Sequence, residues 1–299
     1  MAEGIKKFLK PDTIHKLHRL VLESRYVVEG NLAGAHRSPQ KGVSSEFADH
    51  RSYMPGDDPK RLDWKVLGRT DRYYIKRYED ETNLRVYLLI DQSASMGYGS
   101  GPLTKYAYAC QLAAAFGYVV VKARDSVGLF TFSDKIKARM EPSNSLLHLN
   151  NMLKMVDMHH PGSTTQMAGA LHQIAESVRK RALIVIFSDL FDDTPEVMKA
   201  LAHFRKQRHD VIVMHVLDPM EIELSFRKGG EFIDMETNEK ITVDPRAIVK
   251  AYGEVFGQFM DTCRKGCAEM SIDYRLARTD REMEIFARAY LEERKRCSR

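Results

Sequence analysis

Apolar residues concentrate between Leu84 and Met96, and this stretch predicts the strand around which the chain is organised. Positions 86 to 90 read Val-Tyr-Leu-Leu-Ile without a polar interruption. A continuous apolar run of this length is typical of a strand that is buried on both faces, as in a parallel sheet covered by helices. The run ends at Asp91, so the pattern predicts a carboxylate at the point where the strand leaves the core.

After this strand, apolar runs of strand length alternate with longer segments that have helical spacing. Strands are predicted at 126–132, 136–140 (an edge strand), 182–187, 211–216 and 272–276. Helices are predicted at 103–124, 146–155, 166–180, 194 onward, 244–270 and 281–294, with a hairpin within 221–243. Thr194 is the predicted cap of its helix because proline follows it. This alternation predicts an α/β fold with a doubly wound, mostly parallel sheet over residues 84–299.

The first 83 residues have a different pattern and are predicted to form a separate amino-terminal domain. Asp12 to Tyr26 repeats apolar residues at helical spacing and predicts an amphipathic helix. From Val27 to Arg77 the chain is polar and rich in Arg, Asp and Tyr, which predicts short strands and ordered loops. We expect the opposite charges between Arg51 and Arg69 to form an Arg/Asp network, anchored by Trp64.

The composition of the 299 residues, 43% hydrophobic and 29% charged, is ordinary for a soluble globular protein. We expect a cytoplasmic protein, because the sequence predicts neither a secretory signal nor a membrane-spanning segment. The amino terminus lacks the apolar core of a secretory signal, and the longest apolar stretch, Ala107 to Val121, is too short to span a membrane. The four cysteines form no metal pattern and are expected to be reduced. The net charge of +5 is mild and the basic tail carries no aromatic residues, so we expect no nucleic-acid partner.

Three oxygen-bearing side chains follow the first buried strand at alternate positions. Asp91, Ser93 and Ser95 can converge on one point if the loop curls there. Carboxylate and hydroxyl oxygens suit a small hard cation, Mg²⁺ first and then Mn²⁺ or Ca²⁺. In open parallel sheets, ligands bind just beyond the carboxyl ends of the strands, which is the predicted position of Asp91.

Two later loops can complete this site. One covers residues 161–165, and the other is Ser188-Asp189, directly after the predicted strand at 182–187. If that strand lies beside the first one, both loops reach the same edge of the sheet as Asp91. The combined oxygen ligands are then Asp91, Ser93, Ser95, a threonine and Asp189.

The order of these motifs resembles the metal-ion-dependent adhesion site (MIDAS) of von Willebrand factor A domains. The shared features are Asp-x-Ser-x-Ser after a buried strand, a Gly-x-Thr loop and a later Ser-Asp after a strand. The resemblance implies an Mg²⁺ or Mn²⁺ site with the ligands Asp91, Ser93, Ser95, Thr164 and Asp189, Thr165 being the adjacent alternative to Thr164. In such domains the metal leaves one position for a carboxylate, so the resemblance also implies a protein partner that offers an acidic residue.

The upstream residues resemble domain-of-unknown-function family 58 (DUF58). The motifs that carry this resemblance are His36-Arg37-Ser38, Glu46-Phe47, Arg51-x-Tyr53-x-Pro55-Gly56-Asp57-Asp58 and Asp63-Trp64. Proteins of this kind are typically bacterial or archaeal and are often encoded beside MoxR-type AAA+ ATPases. The resemblance implies a non-enzymatic adaptor or co-chaperone of such an ATPase.

Two other functions stay open at the level of the sequence. A Mg²⁺-dependent phosphohydrolase would use Asp91 as its nucleophile, but it normally has a second aspartate where this chain has Ser93. A structural scaffold would make its contacts through the module between Arg51 and Arg69, and its metal would be incidental. The glycines at 97, 99 and 101 do not have the spacing of a dinucleotide-binding fingerprint.

Overall fold

The protein is described by a computed structural model that covers residues 3–19, 47–54, 62–78, 84–158, 161–162, 166–224, 230–233, 240–243 and 245–281. The helices are α1 (Glu3–Phe8), α2 (described over 11–19), α3 (Trp64–Thr70), α4 (Lys105–Lys122), α5 (Leu146–Met158), α6 (Met167–Ser177), α7 (Thr194–Lys206), α8 (Pro219–Glu223) and α9 (Pro245–Glu269). The strands are β1 (Phe47–Ser52), β2 (Tyr74–Tyr78), β3 (Arg85–Asp91), β4 (Ser126–Phe132), β5 (Ile136–Ser143), β6 (Leu183–Ser188), β7 (Asp210–Leu217), β8 (Gly230–Ile233), β9 (Lys240–Val243) and β10 (Asp273–Arg278).

Six strands form one sheet in the order β10-β7-β6-β3-β4-β5. All neighbours run parallel except β5, which pairs antiparallel with β4 at the edge. Counted along the chain from β3, the order is 3-2-1-4-5-6, that of a doubly wound sheet with a topological switch beside its first strand. The predicted sheet and its edge strand are therefore confirmed. Two small antiparallel pairs, β1–β2 and the hairpin β8–β9, stand apart from it.

Helices cover both faces of the sheet, which explains why β3 is apolar from Val86 to Ile90. Val86, Leu88 and Ile90 pack with α1, α2, α4 and α5 on one face. Tyr87 and Leu89 pack with α6, α7 and α9 on the other. Because successive side chains of a strand point to opposite faces, burial on both sides requires an uninterrupted apolar run.

The amino-terminal helices join the same core, and one of them was not predicted. Ile5 and Leu17 are buried in the cluster formed with α4 and α5. The Gly4 N–H donates to Asn150 Oδ1 at 2.8 Å, which fixes α1 on α5. The predicted helix from Asp12 is confirmed over the described residues of α2, and its predicted end lies outside them.

Two details of the sequence interpretation are wrong. Trp64 does not anchor the amino-terminal module, because it is 65% exposed. Asp63 beside it caps α3 by accepting the Lys65 N–H at 3.0 Å. Thr194 is likewise not the cap of α7, since the Asp193 carboxylate takes that place. Most of the predicted Arg/Asp network, like the predicted helix at 281–294, lies outside the described residues.

The described residues contain no helix with the length and apolar character needed to cross a membrane. Cys110, Cys263 and Cys267 are buried and free, as expected for reduced thiols.

Candidate metal centre

The candidate site lies where β3 and β6 end side by side. The two strands run parallel, and Ile90 pairs with Phe187. The next residues, Asp91 and Ser188, therefore reach the same edge of the sheet, where the carboxyl ends of parallel strands collect ligands. The strand pairing on which the predicted site depended is confirmed.

Asp91 is fully buried, and both of its carboxylate oxygens accept hydrogen bonds. Oδ1 accepts the Ser93 N–H at 2.8 Å, and Oδ2 accepts the Ser188 hydroxyl at 2.6 Å. Neither of these donors carries a charge. Burial, together with repulsion from Asp189, raises the pKa of Asp91 well above its ordinary value. The ionised form of this carboxylate would be stabilised by a cation.

Two serine hydroxyls stand beside this carboxylate. Ser93 Oγ and Ser95 Oγ lie 3.0 Å apart, because a short 3₁₀-helix at 94–97 curls the chain as the motif requires. Ser93 is buried and Ser95 is half-buried. Gly99 closes the loop, since a Cβ there would meet the Leu103 carbonyl oxygen at 2.5 Å. Gly99 therefore permits a close approach of the backbone to Leu103.

Thr164, the predicted threonine ligand, lies in residues 163–165, outside the described residues. Its described neighbours border the loops of both aspartates. On one side the Gly162 N–H donates to the Gln92 carbonyl at 3.4 Å. On the other side, Met167 Sδ lies 3.8 Å from Ser188 Oγ.

Asp189, the second predicted carboxylate, is paired with a buried lysine. Lys105 Nζ lies 2.7 Å from Asp189 Oδ2 and 2.5 Å from Glu221 Oε1. The lysine side chain is 0% exposed. Asp189 Oδ1 accepts the Phe191 N–H at 3.2 Å, and the Phe191 ring centroid lies 4.6 Å from Nζ. Burial lowers the pKa of Lys105, but Asp189 and Glu221 outweigh burial and raise it overall, so the ammonium stays charged.

A buried histidine holds the backbone of Asp189. His215 Nε2 lies 2.7 Å from the Asp189 carbonyl oxygen, and Nδ1 lies 2.6 Å from the Tyr274 hydroxyl. Burial lowers the pKa of His215 to about 4, so the ring is neutral at pH 7. A neutral ring can donate from Nε2 to the carbonyl and accept the tyrosine proton at Nδ1.

These groups fit a small hard cation. The described residues contain no cluster of three His, Cys, Asp or Glu side chains that could hold a metal. A metal at this edge would therefore depend on serine and threonine hydroxyls in addition to carboxylates, a donor set that suits Mg²⁺ and Mn²⁺. Asp91 would supply the negative charge, and its ionised form is the group that a cation would stabilise.

Three residues of this site make contacts that the sequence interpretation does not include. Ser188 was noted only as part of a motif, although its hydroxyl contacts Asp91. Lys105 and His215 were not considered. For Lys105 the sequence offers one indication of a special environment: it is a charged residue at the start of α4, which is otherwise mostly apolar.

A family profile described as "Protein of unknown function DUF58" matches residues 49–255, more than half of the chain. The chain belongs to the DUF58 family. Among curated relatives by sequence, the uncharacterized protein Rv1480 of Mycobacterium tuberculosis is 27% identical over 219 residues, which cover 72% of this chain and 68% of that protein. The uncharacterized protein Mb1516 of Mycobacterium bovis matches to the same extent.

Solved structures resemble the fold of this DUF58 chain at low sequence identity. An aerotolerance-related membrane protein from Bacteroides fragilis aligns with a TM-score of 0.50 and 16% identity, over 71% of this chain and 99% of that one. The SpRpn10 VWA domain aligns with a TM-score of 0.42 and 12% identity, over 69% and 94%. The predicted von Willebrand factor A-like fold agrees with the strand order of the sheet.

Proposed function

We propose that this DUF58 protein is a non-enzymatic protein-interaction module whose contact depends on a divalent metal ion at the candidate centre. Mg²⁺ is the first choice and Mn²⁺ the second, because the donors are carboxylate and hydroxyl oxygens. One observation carries the proposal. Asp91 is a buried carboxylate whose hydrogen-bond donors are uncharged, and it stands beside two hydroxyls at the carboxyl edge of the sheet.

Each of the five predicted ligands has a defined part in this proposal. Asp91 would supply the charge, Ser93 and Ser95 hydroxyl oxygens, Thr164 a further hydroxyl and Asp189 a second carboxylate. Because such a shell is not fully anionic, the metal would attract a carboxylate from a partner protein. Of the four described residues Ser95 is the least buried, so the partner's carboxylate would enter on its side.

The proposed partner is a MoxR-type AAA+ ATPase, or a client protein that such an ATPase remodels. The support is the resemblance of the upstream motifs to a family often encoded beside such ATPases. In this role the protein would act in the cytoplasm as an adaptor or co-chaperone, and metal-bridged binding would hold the two proteins together.

A capture experiment tests this proposal. The full chain is immobilised and offered the MoxR-type ATPase encoded in the same genome, in Mg²⁺ and in EDTA. We expect capture in Mg²⁺, loss in EDTA, and loss in Asp91→Ala under both conditions. Asp134→Ala is the matched control, because Asp134 follows the neighbouring strand β4 but pairs with Lys137 near the surface. Equal capture by wild type and Asp91→Ala would exclude a metal-bridged contact.

The phosphohydrolase alternative makes a different prediction for the same preparations. A phosphohydrolase with an aspartate nucleophile normally has a second aspartate two residues further on, and this chain has Ser93 in that position. We therefore expect no Mg²⁺-dependent hydrolysis of p-nitrophenyl phosphate. Turnover that Asp91→Asn abolishes would replace the interaction proposal by the enzymatic one.

One observation favours the scaffold alternative as a second candidate. Three large side chains of the amino-terminal module are strongly exposed: Met54 at 61%, Trp64 at 65% and Tyr73 at 56%. If this module made the contact, capture would persist in EDTA and fall in Trp64→Ala. The capture experiment with Trp64→Ala in both buffers separates the two candidates.

A further inference from the structure

Lys105 is a fully buried cation at the candidate metal centre, and the proposed function gives it no part. Fully buried lysines are rare unless they are paired. The Lys105 ammonium contacts two carboxylates, Asp189 and Glu221, which lie on different segments of the chain. A group that only neutralised Asp189 would not need the second partner.

The second partner connects the site to the helices that follow β7. Glu221 belongs to the capping box of α8, where its Oε2 accepts the Asp218 N–H at 2.9 Å. The Tyr252 hydroxyl on α9 donates to the Glu221 carbonyl at 2.6 Å. One ammonium therefore joins a predicted metal ligand to α8, and through α8 to α9.

The ammonium and a metal ion would compete for the same carboxylate. Lys105 occupies Asp189 Oδ2 at 2.7 Å. A divalent cation bound to Asp189 would meet this positive charge in a buried region, where salt screens little and charges interact strongly. The competition would ease if the ammonium were held more by Glu221 and less by Asp189.

We propose that Lys105 is a positioning residue that sets the metal affinity of this centre. Its ammonium competes with the divalent cation for Asp189, and Glu221 on α8 holds the ammonium when the cation binds. The inference rests on the metal site of the proposed function and deepens it. Its consequence is a coupling between metal occupancy and α8, since any change that favours the Lys105–Glu221 contact also favours the metal.

Charge-removing variants test the inference because their effects on metal affinity have opposite signs. Mg²⁺ and then Mn²⁺ are titrated calorimetrically into the full chain as wild type, Lys105→Met and Glu221→Gln. We expect Lys105→Met to bind at least tenfold more tightly and Glu221→Gln several-fold more weakly. Lys122→Met is the matched control, because it removes the same charge from the same helix about 25 Å away at 1.5 Å per residue, and its affinity should equal that of wild type.

A merely structural role for Lys105 predicts that Lys105→Met lowers the metal affinity instead of raising it. If the lysine only ordered Asp189, Lys105→Met would bind metal more weakly than wild type, and this result would overturn the inference. Lys105→Met leaves Glu221 without its cation, so folding is checked by circular dichroism. If that variant does not fold, Lys105→Met/Glu221→Gln replaces it. The double variant should bind metal more tightly than Glu221→Gln alone, and equal or weaker binding would overturn the inference.

The two proposals fail in distinguishable ways. If the wild type binds metal but Lys105→Met does not bind more tightly, only the inference about Lys105 is wrong. If the wild type does not bind and Lys105→Met does, the competition is supported, but the metal-dependent function of the wild-type chain is excluded. If no variant binds either metal, both the inference and the metal-dependent function are excluded.

Discussion

The loops after β3 and β6 bring one aspartate each to the same edge of the sheet, but they balance its charge differently. Asp91 receives hydrogen bonds from a backbone amide and a serine hydroxyl. Asp189 receives the ammonium of Lys105. Asp91 and Asp189 have the same predicted role as metal ligands, but their charges are compensated differently. Asp189 has its counter-ion within the chain, whereas Asp91 would have to obtain one from solution. Metal dependence should accordingly concentrate on Asp91.

The largest expected effect comes from Asp189. Asp189→Asn leaves Lys105 with Glu221 alone, and breaking a buried ion pair by removing one partner is strongly destabilising. We expect a loss of about 3 kcal/mol in the free energy of unfolding, measured by urea denaturation in EDTA. Asp134→Asn should behave as wild type, because the Asp134 carboxylate is only partly buried and its partner Lys137 lies near the surface. A loss no larger than that of the control would mean that Lys105 does not depend on Asp189.

The corresponding substitution of Asp91 should raise the free energy of unfolding of the metal-free protein rather than lower it. In Asp91→Asn the amide oxygen can still accept the Ser93 N–H but carries no charge, so the cost of burying an ionised carboxylate disappears. We expect Asp91→Asn to stabilise the metal-free protein at pH 8 by at least about 1.4 kcal/mol, the free-energy equivalent of one pKa unit. Destabilisation in the same urea experiment would show that the Asp91 charge is already compensated without metal.

The pH dependence of stability sharpens the same comparison. Burial raises the pKa of Asp91 to about 7 in the folded state, from 3.8 for the free group. The contribution of Asp91 to the free energy of unfolding is fully present below the free-group pKa of 3.8, and it is lost as the pH rises from about 4 to about 7. His215 acts in the other direction, because its lowered pKa makes stability fall as the pH drops from 6.5 to about 4.

Comparison with Asp91→Asn separates these two contributions in EDTA-treated protein. The variant keeps His215 but lacks the Asp91 carboxyl group. Its advantage over wild type in the free energy of unfolding should therefore grow between pH 5 and pH 8. A constant difference across this range would contradict a raised pKa for Asp91.

The smallest expected change in the free energy of unfolding comes from removing the Ser188 hydroxyl. Ser188 Oγ donates to Asp91 and accepts the Leu190 N–H at 2.9 Å. Ser188→Ala removes both bonds, and we expect a loss of about 1 kcal/mol in the free energy of unfolding. Unchanged thermal unfolding would indicate that Asp91 and Leu190 find other partners.

Local pattern was sufficient for the sheet and for the loops at its edge. The strand at 126–132 was predicted with the bounds of β4, because a buried parallel strand needs an uninterrupted apolar run. The positions of Asp91 and Asp189 followed from the same runs, since each aspartate stands directly after or at the end of one. The assumption that β3 and β6 are neighbours was confirmed by their register.

Contacts between distant parts of the chain could not be read from local pattern. Lys105 has its partners 84 and 116 residues further along the sequence, so the sequence shows only a charge at the start of an apolar helix. The anchoring part assigned to Trp64 was wrong for a related reason. Aromatic character predicts burial on average, but the exposure of one side chain depends on what packs against it.

The central claim is that Asp91 belongs to a metal site, and a metal titration of the purified full chain tests it most directly. Mg²⁺ and Mn²⁺ are titrated by calorimetry, with thermal unfolding in parallel, into wild type and Asp91→Ala. We expect saturable binding and a metal-dependent rise in Tm for wild type, and we expect both to be absent in Asp91→Ala. A wild type that responds to neither ion, or an Asp91→Ala variant that responds equally, would contradict the claim.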